Sequence, residues 1–194
     1  MKEHKFPVES HIGGWYIPKK ICNNLLKHFY DKKDKWKTGL IGNNKGEYHS
    51  DKKTKESLEY IIEYDNFKEE QISNYRIQLQ LVLNNYLKKY KYANNVPKFN
   101  VFENFKFQYY KKNQGFKIWH HEKTSFRHSK RFLAFMTYLN NVDDGGTKFL
   151  YQKITSPAKK GLTLIWPADW THTHKGQISK TKEKSIITGW FSYE

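Results

Sequence analysis

His120 and Glu122 stand two residues apart in Gly115-Phe-Lys-Ile-Trp-His-His-Glu. In an extended segment that spacing puts both side chains on one face and His121 on the other. About fifty residues on, His172 and His174 repeat the relation within Trp166-Pro-Ala-Asp-Trp-Thr-His-Thr-His-Lys-Gly. Two imidazoles and one carboxylate, carried on separate strands, are a ligand set that holds iron(II) and leaves adjacent positions open for a chelating cosubstrate and dioxygen. The spacing alone does not select this reading, because nine histidines in 194 residues also produce surface or hydrogen-bonded core histidines. It also leaves open which of His172 and His174 is the second imidazole. Lys184 lies ten residues beyond His174, at the head of an apolar stretch. Its ammonium suits a distal carboxylate as a point-charge partner.

These residues need elements to position them. Ile21, Leu25 or Leu26 and Phe29, behind Pro18 at the first turn, predict an amphipathic helix within 15–31. Ile72, Tyr75, Leu79, Val82, Leu83, Tyr86 and Tyr90 keep helical spacing and predict the longest helix within 67–92. Between them, 36–55 is rich in Gly, Asn and Lys without a period, which predicts an exposed loop and a candidate lid; 123–130 is a second. After Val96-Pro97 the period changes toward alternation, and short strands are expected to the end of the chain, the clearest over 131–140 and 184–193. Asn141-Val-Asp-Asp-Gly-Gly and Lys159-Lys-Gly read as turns. Helices followed by many short strands make a single α+β domain over 1–194, with helical support and a lid loop in 1–96 and a sandwich or small barrel in 97–194.

Composition narrows the function classes. Lys plus Arg number 35 against 19 Asp plus Glu, a net charge of +16. Only Arg76, Arg127 and Arg131 are arginine, and the lysines are scattered. Base readout and phosphate clamping favour arginine, so nucleic acid is not the favoured partner, and the surplus biases the surface toward acidic ones. An aromatic content of 17% supports a real core. One cysteine, Cys22, makes no internal disulfide and no cysteine zinc site, and its apolar neighbours predict burial. No apolar run suits a membrane helix or a signal peptide, so a cytoplasmic protein without a membrane partner is expected.

Over about 101–194 the motifs follow an order: a tyrosine before a glycine and the His-x-acid segment, an Arg-initiated strand ending Tyr138-Leu-Asn, Gly145-Gly-Thr-Lys-Phe, a Trp/Pro segment with the distal histidine, and a lysine ten residues on. In this the chain resembles the prolyl 4-hydroxylase-like branch of the Fe(II)- and 2-oxoglutarate-dependent dioxygenases. The resemblance implies a double-stranded β-helix (jelly-roll) core, with His120, Glu122 and His174 binding iron. His174 is preferred to His172 because Lys175-Gly176 and the offset to Lys184 match the family from that position. Lys184, with Tyr138, would bind the far carboxylate of 2-oxoglutarate; Tyr110 would line its pocket, and Arg131 and Trp190 would contact a peptide substrate. Thr137, Leu164 and Ile186 are candidate pocket walls. The implied cofactors are Fe(II), 2-oxoglutarate and O₂, with ascorbate as a further candidate. The implied reaction hydroxylates a prolyl or other residue of an extended peptide or protein while 2-oxoglutarate becomes succinate.

Plainer roles stand beside these. Tyr138 and Trp190 suit a sandwich core, Arg131 suits an ion pair with Asp143, and His121 and His128 suit exposed positions or positions just behind the ligands. Glu122 stands where most relatives carry Asp, and the glycine turn is one residue shorter than the commonest family form. A residue unable to coordinate at 122 would have suggested halogenation. The alternatives are the same chemistry on a nucleic acid base or small metabolite, and a non-catalytic jelly-roll binding module.

Overall fold

A computed structural model of the chain describes residues 1–43 and 45–194. Strands β1 (Lys2–Glu3) and β2 (Gly13–Tyr16) precede helix α1 (Lys19–Tyr30). The helix begins later than its periodicity suggests, because Trp15 and Tyr16 are taken into β2 and Pro18 sits outside the first turn. Cys22, Leu25 and Phe29 form its buried face. Instead of an irregular loop, 36–55 contains β3 (Lys37–Thr38) and a hairpin of β4 (Ile41–Gly42) with β5 (Tyr48–His49). Two-residue strands are too short to leave a period. Asn44, in the same segment, lies outside the described residues. β6 (Leu58–Ile62) leads through a 3₁₀ turn into α2 (Glu70–Lys89), which buries Ile72, Tyr75, Leu79, Val82, Leu83 and Tyr86.

The remainder is β7 (Phe99–Asn100), β8 (Phe105–Tyr110), β9 (Arg131–Tyr138), β10 (Val142–Phe149), β11 (Ile154–Ala158), β12 (Leu162–Pro167), β13 (His174–Gly176) and β14 (Lys184–Tyr193). A nine-stranded sheet runs β1-β2-β12-β9-β14-β8-β6-β3, with β7 also on β14, and a three-stranded sheet runs β11-β10-β13. The pairings are antiparallel, as a jelly roll requires. Four strands of the large sheet come from the first 96 residues, a region expected to hold helical support and a lid loop.

Alternation along the strands builds two cores. Leu133 and Phe135 of β9, Phe105 and Phe107 of β8, and Ile187 of β14 face α1 and α2. Ala134, Met136, Tyr138, Tyr110 and Ile186 face the opposite way, into the space between the sheets. Thr137 therefore belongs to the helix side: its hydroxyl bonds Tyr75 of α2 and Thr163 of β12, and it is not a pocket wall.

Two expected turns resolve differently. Lys159-Lys-Gly is a turn, with Gly161 at φ +87°. Asn141 to Gly146 instead falls mostly within β10, whose register against β11 breaks between Val142 and Thr147. At that bulge a side chain on Gly146 would run into the Ser156 carbonyl. Gly146→Ala should therefore cost about 2 kcal/mol as overpacking against backbone, lowering Tm by about 4–8 °C for a chain of this size; an unchanged melting curve would show the bulge free to shift. Among the described residues no helix is long and apolar enough to cross a membrane.

Candidate active site

The inner face of the large sheet, the 115–122 segment and β13 enclose a cavity of about 1200 Å³. The segment 115–122 is not the strand its pattern suggests; it carries isolated pairs, Lys55 with Phe116 and His120 with His174. The second pair decides the site. His120 N–H donates to the His174 carbonyl at 3.0 Å and His174 N–H to the His120 carbonyl at 2.8 Å, fastening the two backbones together. The His120 ring then stacks on Phe116 at 3.6 Å between centroids, while Trp166 and Phe149 pack around His174.

Each imidazole presents its Nδ1 to a carbonyl, His120 to Ile118 at 3.2 Å and His174 to His172 at 2.9 Å. A carbonyl only accepts, so these contacts place a proton on Nδ1 of each ring and turn Nε2 away from the backbone. That is the arrangement metal-bound histidines adopt. His174 Nε2 is 3.3 Å from Glu122 Oε1, and one ligand atom from each of His120, Glu122 and His174 lies within 4.8 Å of the others. Burial, reinforced by the neighbouring His174, lowers His120 to about 3. Burial alone would raise Glu122, but the hydrogen bond and charge of His174, with His120 and Arg131, hold it well below the usual carboxylate range. Neutral imidazole at His120 and an ionised carboxylate are the forms a divalent metal needs. The donor set suits iron(II), with protein on one side and open cavity on the other.

His172 is turned away. It is buried, with Nε2 2.9 Å from the Ser10 carbonyl and Nδ1 3.0 Å from the Thr171 hydroxyl, so both nitrogens are engaged in tying down the N-terminal segment.

Glu122 Oε2 accepts from Trp190 Nε1 at 2.7 Å. Arg131 covers the Trp190 ring at 3.5 Å, donates to the Glu122 carbonyl at 3.1 Å, and forks onto the Glu103 carboxylate at 2.6–3.0 Å. The expected partner Asp143 pairs instead with Lys159 at 2.8 Å. Trp190→Phe keeps an aromatic ring beneath Arg131 and removes the indole donor. Loss of such a supporting bond should weaken metal affinity about tenfold, measurable by equilibrium metal titration; unchanged affinity would show that Trp190 does not steady Glu122.

At the other end of the cavity Lys184 is buried opposite Tyr110 and donates to the Gly145 and Gln177 carbonyls at 3.1 and 2.8 Å. One of its three donors is left over. Burial lowers it to about 8, against the attraction of Asp144. The Tyr138 hydroxyl bonds Thr147 and Ser156 at 2.7 and 2.9 Å, and burial raises it to about 12. Tyr110 donates to Gln108, whose amide donates to Glu59. Ile186 is on the cavity wall; Leu164 lies in the inter-sheet core beside it. His128 is buried rather than exposed: Nε2 is 2.9 Å from the Tyr48 hydroxyl and Nδ1 3.0 Å from Ser125, joining the β4–β5 hairpin to 123–130. Sequence reasoning missed Glu103, Glu59, Lys55 and Lys106. The alternation of Phe105–Tyr110 already put Lys106 and Gln108 on the face of Tyr110; nothing local marked Glu103.

Residues 105–192 match the family model described as the 2OG-Fe(II) oxygenase superfamily. No curated protein matches the sequence. Among solved structures, a viral collagen prolyl hydroxylase from Paramecium Bursaria Chlorella virus-1, in a 2OG complex, is similar at TM-score 0.69 and 19% identity, covering 95% of this chain and 97% of that one. A Pseudomonas putida prolyl-4-hydroxylase gives 0.65 and 13% over 95% and 94%. A Trichoplax adhaerens prolyl hydroxylase, in complex with a hypoxia inducible factor oxygen degradation domain peptide fragment, gives 0.72 and 11% over 94% and 84%. At these identities the likeness is one of fold.

Proposed function

We propose that the chain, whose residues 105–192 match the 2OG-Fe(II) oxygenase superfamily model, is an Fe(II)- and 2-oxoglutarate-dependent dioxygenase that hydroxylates a prolyl residue of a peptide or protein. The convergence of His120, Glu122 and His174 within 4.8 Å beside a cavity ending at Lys184 carries the reading. The residues that would hold iron are those three. Bound iron supplies the activation of dioxygen that, coupled to decarboxylation of 2-oxoglutarate to succinate, oxidises an unactivated C–H bond.

The chain's own residues do the positioning. The two Nδ1–carbonyl contacts fix both imidazole rings, and Trp190 fixes the carboxylate. The spare donor of Lys184 would take the distal carboxylate of 2-oxoglutarate, with Tyr138 beside it and Tyr110 closing the wall. Arg131, neutralised by Glu103, would brace the substrate end against Trp190. The hairpin joined to 123–130 through Tyr48 and His128 would shield that end from water. The prolyl assignment draws on the three prolyl hydroxylase folds above and on the room in the cavity beyond a five-carbon cosubstrate. The free, buried Cys22 suits a reducing, cytoplasmic setting.

Mass spectrometry of prolyl peptides incubated with enzyme, Fe(II), 2-oxoglutarate and O₂ tests the assignment. Gain of one oxygen atom on proline, dependent on 2-oxoglutarate, is expected. Oxygen gained by a nucleobase or a small metabolite while peptides stay unmodified would move the substrate class.

A further inference from the structure

Lys106 carries a charge that the site described above leaves half matched. Glu59, buried in β6, gathers Lys55, the Gln108 amide at 2.8 Å and the Ser57 hydroxyl at 3.1 Å on Oε1, and meets Lys106 Nζ at 3.3 Å through Oε2. Two ammonium groups therefore share one carboxylate. Lys55 is sealed, its side chain 4% exposed and also bonded to the Leu40 carbonyl at 3.4 Å. The Lys106 side chain is 18% exposed, lines the cavity, and has no second partner among the described residues. The other recessed cations have roles already: Arg131 meets the Glu103 fork, and Lys184 meets two carbonyls and, in the oxygenase reading, would receive the distal carboxylate of the cosubstrate.

The β8–β14 register places this surplus charge. Tyr110 pairs with Lys184, whereas Lys106 pairs with Thr188, the neighbour of Trp190 on the cavity side of β14. Lys106 and Tyr110 are four residues apart, about 13 Å along a strand, so a five-carbon cosubstrate anchored at Lys184 leaves the Lys106 end to another molecule. A cavity of about 1200 Å³ has space for one. A compact ammonium recessed in a wall suits one short carboxylate; a nucleic acid backbone is instead held by rows of exposed cations.

We propose that Lys106 is a specificity-determining residue that receives a substrate carboxylate, so that the enzyme selects peptides carrying Asp or Glu close to the residue it oxidises. This deepens the oxygenase reading and rests on it.

Fluorescence anisotropy with labelled prolyl peptides, under anaerobic conditions with Fe(II) and 2-oxoglutarate present, reads binding without turnover. Peptides with Asp or Glu beside proline are compared with their Asn or Gln twins, so the wild type alone already tests the idea. The acidic peptide should bind about tenfold tighter, the change a hydrogen bond to a charged group supplies. Lys106→Gln should bring the pair to within about twofold while 2-oxoglutarate binding, followed by calorimetry, is kept. Equal binding of the twins, binding of neither peptide, or a single-stranded oligonucleotide whose binding depends on Lys106 more than the peptide's would overturn it. Loss of 2-oxoglutarate binding in Lys106→Gln alone would overturn it too, whereas a wild type that never binds 2-oxoglutarate would sink the oxygenase reading itself.

Discussion

His174→Ala is expected to lower Fe(II) affinity by more than about 100-fold, whereas His172→Ala leaves it within a few-fold of wild type. Removing a ligand should exceed the 10- to 100-fold loss that follows removal of a group merely supporting one. His174 directs Nε2 toward Glu122 at 3.3 Å, with Nδ1 committed to the His172 carbonyl. His172 contributes only its carbonyl to that arrangement, which alanine keeps; its ring serves Ser10 and Thr171. The cost of His172→Ala therefore falls on stability, about 1–3 kcal/mol for the carbonyl left without its donor. Metal titration and thermal melting together separate the two variants. A reversed pattern, with metal lost in His172→Ala and kept in His174→Ala, would put the second ligand at 172.

Lys184→Met should weaken 2-oxoglutarate binding by about 30-fold or more, because deleting one partner of a buried charge pair costs about 2–5 kcal/mol. The native lysine carries a pH signature that the variant lacks. Burial sets it at about 8, so below that pH it is already an ammonium and affinity should be flat. Above pH 8 the free enzyme loses the proton and binding a carboxylate must take it up again. Affinity should then fall by up to about tenfold per pH unit. An ordinary lysine would postpone that fall to above about pH 10. Calorimetric titration of 2-oxoglutarate across this range checks both statements, and a flat profile through pH 9 in the wild type would remove Lys184 from the distal carboxylate.

Where one physical rule acted over many residues, the fold is legible in the sequence. The six residues α2 buries keep the spacing of its face, and β9 and β14 alternate between the helix layer and the cavity. β6 escapes because its alternation sets a charged residue, Glu59, on the cavity side between Leu58 and Tyr60; the partners that make this tolerable come from Lys55, before the strand, and from β8. β4 and β5 escape because two residues make no period. The ligand spacing was readable, yet for a reason other than strand geometry: an irregular segment sets His120 and Glu122 together through a backbone pair with His174, a contact across more than fifty positions. Glu103 is invisible for the same reason, since its meaning comes from Arg131, 28 residues away. His128, for which the sequence left exposure or a place just behind the ligands open, is buried because Tyr48 and Ser125 satisfy both its nitrogens.

If His120, Glu122 and His174, with Lys184 behind them, form a working 2-oxoglutarate oxygenase site, succinate release must depend on the metal and on its carboxylate ligand. Succinate released from 2-oxoglutarate in the presence of O₂, by wild type with and without Fe(II) and by Glu122→Ala with Fe(II), tests it most directly. Succinate is expected from Fe(II)-loaded wild type, and none above background from metal-free protein or from Glu122→Ala. Equal succinate from wild type and Glu122→Ala, or none from Fe(II)-loaded wild type that is folded and given its peptide, would contradict it.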